Sequence, residues 1–118
     1  MSRYVELKIQ NNIGNALILK STNLEHGKFV SEPPKKIESD GVFACNHRSG
    51  AMIGPKGTVT YQVEGTDVEL HFHFNHPYGD KPSAYRITQN PDNSFYTKVD
   101  GDWTGHNQYI TYLSLIHI

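Results

Sequence analysis

The strict alternation of apolar and polar residues in the middle of the chain constrains its fold more than any other feature. Apolar residues stand at every second position from Val59 to Val63, and the alternation resumes from Val68 to Phe74 after Glu64-Gly65-Thr66-Asp67. A period of two is the repeat of a β-strand, and a short glycine-containing turn between two such runs is typical of a hairpin. We therefore predict a hairpin with one apolar face toward a core and one polar face outward.

Further runs with strand character lie on both sides of this hairpin and are separated by turn residues. They are Val5–Ile9, Ala16–Ser21, Lys28–Val30, Val42–Asn46 and Tyr109–Ile116. Many short strands separated by turns are typical of a sandwich or barrel. We predict an all-β fold, an antiparallel β-sandwich of about eight to ten short strands, in a single domain over residues 1–118.

Other segments are open to more than one interpretation. A short helix through Leu24 is possible, although Gly14 and Gly27 leave little room for it. Two further runs, 84–89 and 94–99, predict a second hairpin, because Asn90-Pro91-Asp92-Asn93 between them is turn chemistry. We predict a polar loop over residues 100–107, which carries the only tryptophan, Trp103.

Composition limits the classes of partner. The formal charge is -1, with 11 basic and 12 acidic side chains mixed along the chain. That balance argues against a nucleic-acid partner and against attachment to anionic lipid by charge alone. The first ten residues, MSRYVELKIQ, lack the apolar stretch of a secretory signal, so we expect synthesis in the cytoplasm without a signal peptide.

Cys45 is the only cysteine, which excludes an intrachain disulfide and a zinc site built from thiolates. With His47 it could form a thiol nucleophile and base, but the two would have to converge on a substrate at the end of a strand. We favour a small buried thiol. No Ser/His/Asp set can be argued from spacing, so we expect that the protein is not an enzyme.

The chain contains seven histidines, which raise the possibility of a metal site. His71 and His73 would face the same way on a strand, about 7 Å apart. Such a pair supplies ligands in cupin-type sites, with His47, His76 or His106 as a third ligand. The alternative, which we favour, is that both occupy the polar face of a half-buried strand, because no further ligand stands at a recognisable spacing. We therefore expect no metal and no cofactor.

Aromatic residues in the predicted loops are the best candidates for binding. Tyr78 and Trp103 fall in loops, as does His76, close to glycine and lysine. Such rings suit insertion at the headgroup level of a membrane, and they suit a protein interface or stacking on sugar equally well. Trp103 could instead pack under its own loop.

Several short motifs follow one another in a fixed order over about residues 3–112. They are Arg3-x-Val5, Asn11-Asn12-x-Gly14, Leu24-x-x-Gly27, Gly50-x-Met52-x-Gly54, Gly57-Thr58-Val59-x-Tyr61 and Phe72-x-Phe74-x-x-Pro77-Tyr78. In this order and spacing the chain resembles the aegerolysins. Within that family it looks most like the small component of the binary insecticidal crystal proteins of spore-forming bacilli.

The resemblance implies an aegerolysin-like β-sandwich that binds membrane lipid or a receptor on target cells. It implies action with a larger second toxin protein to form pores, without enzymatic activity. In fungal relatives the lipids are sphingomyelin with cholesterol, or ceramide phosphoethanolamine, and the partner is a membrane-attack-complex/perforin protein. In bacterial relatives the target is insect gut epithelium. We expect release from the cell or association with crystals or spores, and a homo-oligomer is compatible with this class.

The resemblance also indicates which residues contact the target. The fungal pattern has Trp-Gly-Lys where this chain has His26-Gly27-Lys28, and Tyr-Trp-Asp-Cys-Pro-Trp-Gly where this chain has residues 73–79, so Tyr78 keeps one of its aromatic contacts. The predicted lipid- or receptor-binding residues are His26, Lys28, Tyr78, Lys81 and Trp103. The polar face of a hairpin would dock the second protein. A lectin-like β-sandwich that binds carbohydrate with the same loops is the alternative, and a cupin-like metalloenzyme is a third possibility.

Overall fold

The computed structural model describes residues 3–117, which form ten β-strands. These are β1 (Tyr4–Asn12), β2 (Leu17–His26), β3 (Lys28–Ser31), β4 (Lys36–Ile37), β5 (Asp40–Asn46), β6 (Lys56–Val63), β7 (Glu69–Asn75), β8 (Ala84–Asn90), β9 (Tyr96–Asp102) and β10 (Asn107–Leu115). Residues 3–117 contain no helix, and so none that could cross a membrane. The helix considered through Leu24 is wrong, because β2 continues to His26.

The strands are arranged in two sheets of five. The first sheet has the order β3-β5-β1-β10-β9, and the second has the order β4-β2-β6-β7-β8. The predicted all-β sandwich is confirmed. Paired strands are antiparallel except β1 and β10, which run parallel from Tyr4↔Asn107 to Asn12↔Leu115. The two strands come from opposite ends of the sequence, and no local pattern could have paired them.

The core lies between the inward faces of the two sheets. The predicted hairpin is confirmed as β6 and β7, which pair from Lys56↔Asn75 to Gln62↔Glu69. Val59 and Phe72 are opposite each other on its inner face, and both are fully buried. Phe72 meets Tyr112 of the first sheet with ring centroids 5.1 Å apart. Full burial of one such side chain contributes about 1.5–3 kcal/mol.

Buried tyrosine hydroxyls tie the two sheets together. The Tyr112 hydroxyl, on β10, donates to the His73 carbonyl oxygen, on β7, at 2.6 Å. The Tyr85 hydroxyl, on β8, donates to the side-chain oxygen of Gln108, on β10. Burial raises the pKa of both tyrosines, so the hydroxyls remain protonated donors. Each bond crosses from one sheet to the other and fixes how the sheets sit on one another.

The predicted second hairpin is wrong, because its two strands belong to different sheets. β8 is an edge of the second sheet and pairs with β7, whereas β9 is an edge of the first sheet and pairs with β10. The Gln89 side chain spans the crossing: its amide nitrogen donates to the Phe95 carbonyl and its oxygen accepts from the Phe95 amide, both at 2.8 Å. Turn residues mark the reversal, but they do not say whether the chain returns to the same sheet.

The strands run along the long axis of a body of 43 × 24 × 21 Å, so the connections gather at two ends. We call one the Tyr78 end; it consists of Arg3, the 26–28 crossing and the connections 47–55, 76–83 and 103–106. We call the other the Glu64 end; it consists of the connections 13–16, 38–39, 64–68 and 91–95, with Lys35 and β4 beside them. A nine-residue strand spans about 30 Å, so the two ends are well separated.

We expect Tyr112→Phe to lower the free energy of unfolding by about 1–2 kcal/mol, because it removes the buried donor to the His73 carbonyl. Urea unfolding monitored by tryptophan fluorescence measures this. Tyr109→Phe is the matched control, because Tyr109 is 58% exposed, and it should change little. Equal stability of both variants would contradict the role given to this bond.

Candidate functional site

All five residues predicted to bind lipid or a receptor lie at the Tyr78 end. His26 ends β2 and Lys28 begins β3, while Tyr78 and Lys81 lie in the connection between β7 and β8. Trp103 follows the last residue of β9. The strand pairing brings these segments together, since β2, β6, β7 and β8 are aligned through His26↔Lys56↔Asn75↔Ala84.

Three of the five surround one shallow depression. His26, Tyr78 and Lys81 line a space of about 160 Å³, together with Met52 and Ile53. Met52 is 77% exposed and Ile53 is 52% exposed. The result is an apolar tip flanked by an aromatic ring and basic side chains.

Lys28 does not line this depression, because the chain changes sheets at Gly27. β2 belongs to the second sheet and β3 to the first. Gly27 has φ +95°, and a Cβ added there would lie 2.7 Å from the Asn46 carbonyl oxygen, so only glycine fits. The exposed Lys28 side chain therefore stands on the first-sheet side of the Tyr78 end.

Trp103 lines a second cleft, of about 340 Å³, whose walls also include Lys81 and the buried Arg3. The indole is 41% exposed and packs edge-on against Tyr85, with ring centroids 5.5 Å apart. The Gln108 amide nitrogen donates to the Trp103 carbonyl at 2.9 Å and holds the loop in place. The Trp103 ring thus packs in part against a strand of the second sheet.

Tyr78 is held by two neighbours. The Arg3 guanidinium carbon lies 4.4 Å from the Tyr78 ring centroid, a cation–π contact. The His47 ring meets it edge-on at 5.7 Å. Arg3 Nε also donates to the Pro77 carbonyl at 3.3 Å. Tyr78 is thus pre-positioned before any ligand binds, and Arg3 is a supporting residue that the sequence did not single out as part of the site.

His76 does not present its ring to solvent, contrary to its predicted place among the loop aromatics, since it is 2% exposed. Its Nε2 donates to the His106 carbonyl at 2.6 Å, and its Nδ1 lies 3.2 Å from the Ser83 hydroxyl. Its carbonyl oxygen would lie 1.7 Å from a Cβ added at Gly54. His76 is therefore a scaffold that joins three connections of this end.

Met52 and Ile53 are the candidate residues that the sequence reasoning missed. They occur in Gly50-Ala51-Met52-Ile53-Gly54-Pro55, an apolar pair enclosed by loop formers. The base of this loop is fixed, because His76 N donates to the Pro55 carbonyl at 2.9 Å and Arg48 Nε donates to the Gly27 carbonyl at 3.3 Å. The sequence signal that could have identified them is an apolar pair inside a loop bounded by glycine and proline.

His71 and His73 share the outer face of the second sheet, as predicted, with ring centroids 6.3 Å apart. Both ring nitrogens of His73 lie beside threonine hydroxyls, Thr58 at 2.9 Å and Thr88 at 2.8 Å. Over residues 3–117 no group of three or more His, Cys, Asp or Glu side chains has the arrangement of a metal site. The histidines form a hydrogen-bonded surface ladder with threonines.

Cys45 is fully buried, which confirms the small buried thiol. Burial, with a contribution from the negative charge of Glu32, raises the pKa of the thiol to about 12. A thiol with so high a pKa is a poor nucleophile at neutral pH, because the thiolate is the reactive form.

We expect stability to fall in mild acid. Burial, and then the charges of Arg86 and His71, lower the pKa of His73, and burial lowers the pKa of His76. The folded state disfavours the protonated rings, so both contribute stability above about pH 6.5 that is lost as the pH falls through their lowered pKa values. The free energy of unfolding should therefore decrease between about pH 7.5 and about pH 5.5.

His73→Gln tests this, because the amide can still bond the threonines but cannot titrate. Its stability should depend less on pH over this range than that of the unmodified chain. His26→Gln, at an exposed position, is the matched control, because it removes no buried contact. An unchanged pH dependence in His73→Gln would show that His73 does not cause the loss.

Comparison with known proteins places the fold among solved structures. No protein-family model and no curated protein matches the chain. The lipid binding protein Nakanori matches with a TM-score of 0.81 and 15% identity over 97% of this chain and 71% of that protein. RahU, solved in complex with a TRIS molecule, matches at 0.80 and 14% identity over 98% of this chain and 96% of that one. IP-1A from Alcaligenes faecalis matches with a TM-score of 0.68 and 15% identity over 95% of this chain and 91% of that one.

At these identities the likeness shows the fold alone. The aegerolysin-like β-sandwich predicted from the sequence is confirmed by two sheets of five strands that superpose over nearly the whole chain. The link to binary insecticidal proteins stays a prediction.

Proposed function

We propose that this protein is a non-enzymatic lipid-binding protein that attaches to bilayers through its Tyr78 end. The observation that carries the proposal is the exposed pair Met52 and Ile53 at the tip of an anchored loop. Two large exposed apolar side chains in one loop of this end are costly in water and favourable in lipid. The half-buried Tyr78 lines the same depression and the partly exposed Trp103 lies at the same end, where amphipathic rings would meet the headgroups.

The free energy of transferring Met52 and Ile53 from water into lipid is adequate for reversible attachment. Transfer of one such side chain from water to the acyl region contributes about 1.5–3 kcal/mol, so the pair contributes roughly 3–6 kcal/mol. That is comparable with a single acyl chain, which gives marginal and reversible binding. Further contacts from the headgroup level, or a second protein, would be needed for a stable attachment.

The fold supports this proposal. Nakanori, which shares the fold over 97% of this chain, is described as a lipid binding protein. We further propose, on the resemblance described above, that the protein is an insecticidal toxin component that acts with a larger partner protein. It would be released from the cell or associated with crystals or spores, and it would then act on target membranes. The histidine–threonine face of β6, β7 and β8 is the surface we assign to that partner.

Flotation with liposomes tests lipid binding. We expect Met52→Asp/Ile53→Asp to abolish or strongly reduce co-flotation with vesicles of phosphatidylcholine, sphingomyelin and cholesterol, because two charges cannot enter the acyl region at acceptable cost. Ile116→Asp is the matched control, since Ile116 is 54% exposed and follows β10 at the Glu64 end. Failure of the unmodified protein to float with vesicles of any composition, with or without a candidate partner, would overturn the proposal.

The lectin-like alternative has one observation in its favour. The cleft of about 340 Å³ beside Trp103 is lined by polar groups, including Asp80 and His106. An indole next to polar side chains suits stacking on a sugar ring. A glycan array distinguishes the two functions. Glycan binding that is lost in Trp103→Ala and is competed by soluble sugar would favour the lectin. Vesicle binding that sugars do not affect would favour lipid binding.

A further inference from the structure

Charged side chains that are mixed along the sequence are separated in space. At the Tyr78 end the basic side chains are Arg3, Lys28, Arg48, Lys56 and Lys81. The acidic ones at or beside this end are Glu25, Asp80 and Asp102. Of these, Glu25 is already paired with Lys56 at 3.6 Å.

The Glu64 end has the opposite sign. Its acidic side chains, in the connections and in the first residues of β5 and β7, are Glu38, Asp40, Glu64, Asp67, Glu69 and Asp92. Its basic side chains are Lys35 and Lys36, and Lys36 is paired with Glu38 at 3.8 Å. The molecule therefore carries a charge difference along its long axis.

This separation is hidden in the sequence, because the long strands carry the chain from one end to the other. Lys56 and Glu64 are only one strand apart in sequence, yet β6 places them at opposite ends. A near-neutral net charge therefore does not mean that the charges are evenly distributed over the surface. The expectation that charge alone would not attach the protein to anionic lipid rested on the near-neutral balance of charges mixed along the sequence, and the fold separates these charges in space.

We propose that the Tyr78 end docks on an anionic lipid surface, with its cations at the lipid phosphates around the inserted Met52 and Ile53. The inference rests on the proposed lipid binding and adds the class of lipid. The charge and the apolar tip occupy the same end, which argues for a bilayer rather than a soluble anion. Lys28, Arg48 and Lys81 are all exposed and flank the Met52–Ile53 loop.

The position of the cations is fixed by the scaffold. Arg48 Nε donates to the Gly27 carbonyl at 3.3 Å, which holds it beside the 26–28 crossing and next to Lys28. Lys81 lines both the depression under Ile53 and the cleft beside Trp103. Arg48 and Lys81 thus come from two separate connections of the end that carries Met52 and Ile53, and their charges would remain at headgroup level while the apolar pair enters the bilayer.

Screening makes the acidic end irrelevant to this contact. Exposed charges act over about 8–10 Å at physiological salt, whereas the molecule is 43 Å long. With the Tyr78 end on the membrane, the Glu64 end lies several screening lengths away. The formal net charge of -1 therefore does not oppose docking, and the acidic end orients away from the surface.

The test compares vesicles of phosphatidylcholine with vesicles that also contain phosphatidylserine. We expect tighter binding to the anionic vesicles, with a loss of about fivefold for each exposed cation removed. Arg48→Gln/Lys81→Gln should therefore weaken binding to anionic vesicles about 25-fold, a clearly larger loss than on neutral vesicles. The matched control is Lys35→Gln/Lys36→Gln, which changes the net charge equally at the Glu64 end and should leave binding unchanged.

The outcomes separate this inference from the proposed function. Equal binding to neutral and anionic vesicles, or equal losses in the two double variants, would overturn the anionic preference and leave lipid binding intact. Binding that depends on sphingomyelin regardless of charge would do the same. Failure to bind any vesicle would overturn both. Lys81→Gln alone, at an exposed loop position, guards against misfolding and should weaken binding to anionic vesicles about fivefold.

Discussion

The packing of one apolar sheet face against another is the constraint on which the rest of the structure depends. The inner positions of β6, β7, β1 and β10 are filled by large side chains with almost no exposure, and their neighbours in sequence face solvent. Because the faces are buried along the whole length of the strands, every connection must leave at one end or the other. The loop cluster at the Tyr78 end is therefore a consequence of the core, since these loops, distant in sequence, have nowhere else to meet.

The Tyr78 end shows how a rigid loop cluster is built without regular structure. Its backbone groups are bonded across connections: His76 joins the 47–55 loop through Pro55 and the 103–106 loop through His106. Arg3 stacks on Tyr78, and Gln108 holds the Trp103 loop. The side chains that face outward are thereby separated from those that hold the scaffold. Preorganised side chains lose less freedom on binding, which favours even a small contact area.

The sequence predicted the individual strands better than it predicted which strands pair. Alternation identified the β6–β7 hairpin and most other strands, because the period of two is a local property. The parallel pairing of β1 with β10 depends on residues more than a hundred positions apart in the chain, and the crossing at Gln89 and Phe95 has the same local chemistry as a hairpin turn. The five residues predicted to bind lie at one end, and their binding role stays a prediction. The exposure of Met52 and the burial of His76 depend on close contacts such as Gly54 with the His76 carbonyl.

The parallel pairing of β1 and β10 has a practical consequence. Because both strands start at the Tyr78 end, Arg3 and His117 lie at opposite extremes of the molecule. A fluorescent protein fused downstream of His117 would hang on the far side from the loops, whereas one fused upstream of Arg3 would crowd them. Any reporter, affinity handle or surface-immobilisation chemistry is therefore best attached at the carboxyl-terminal side.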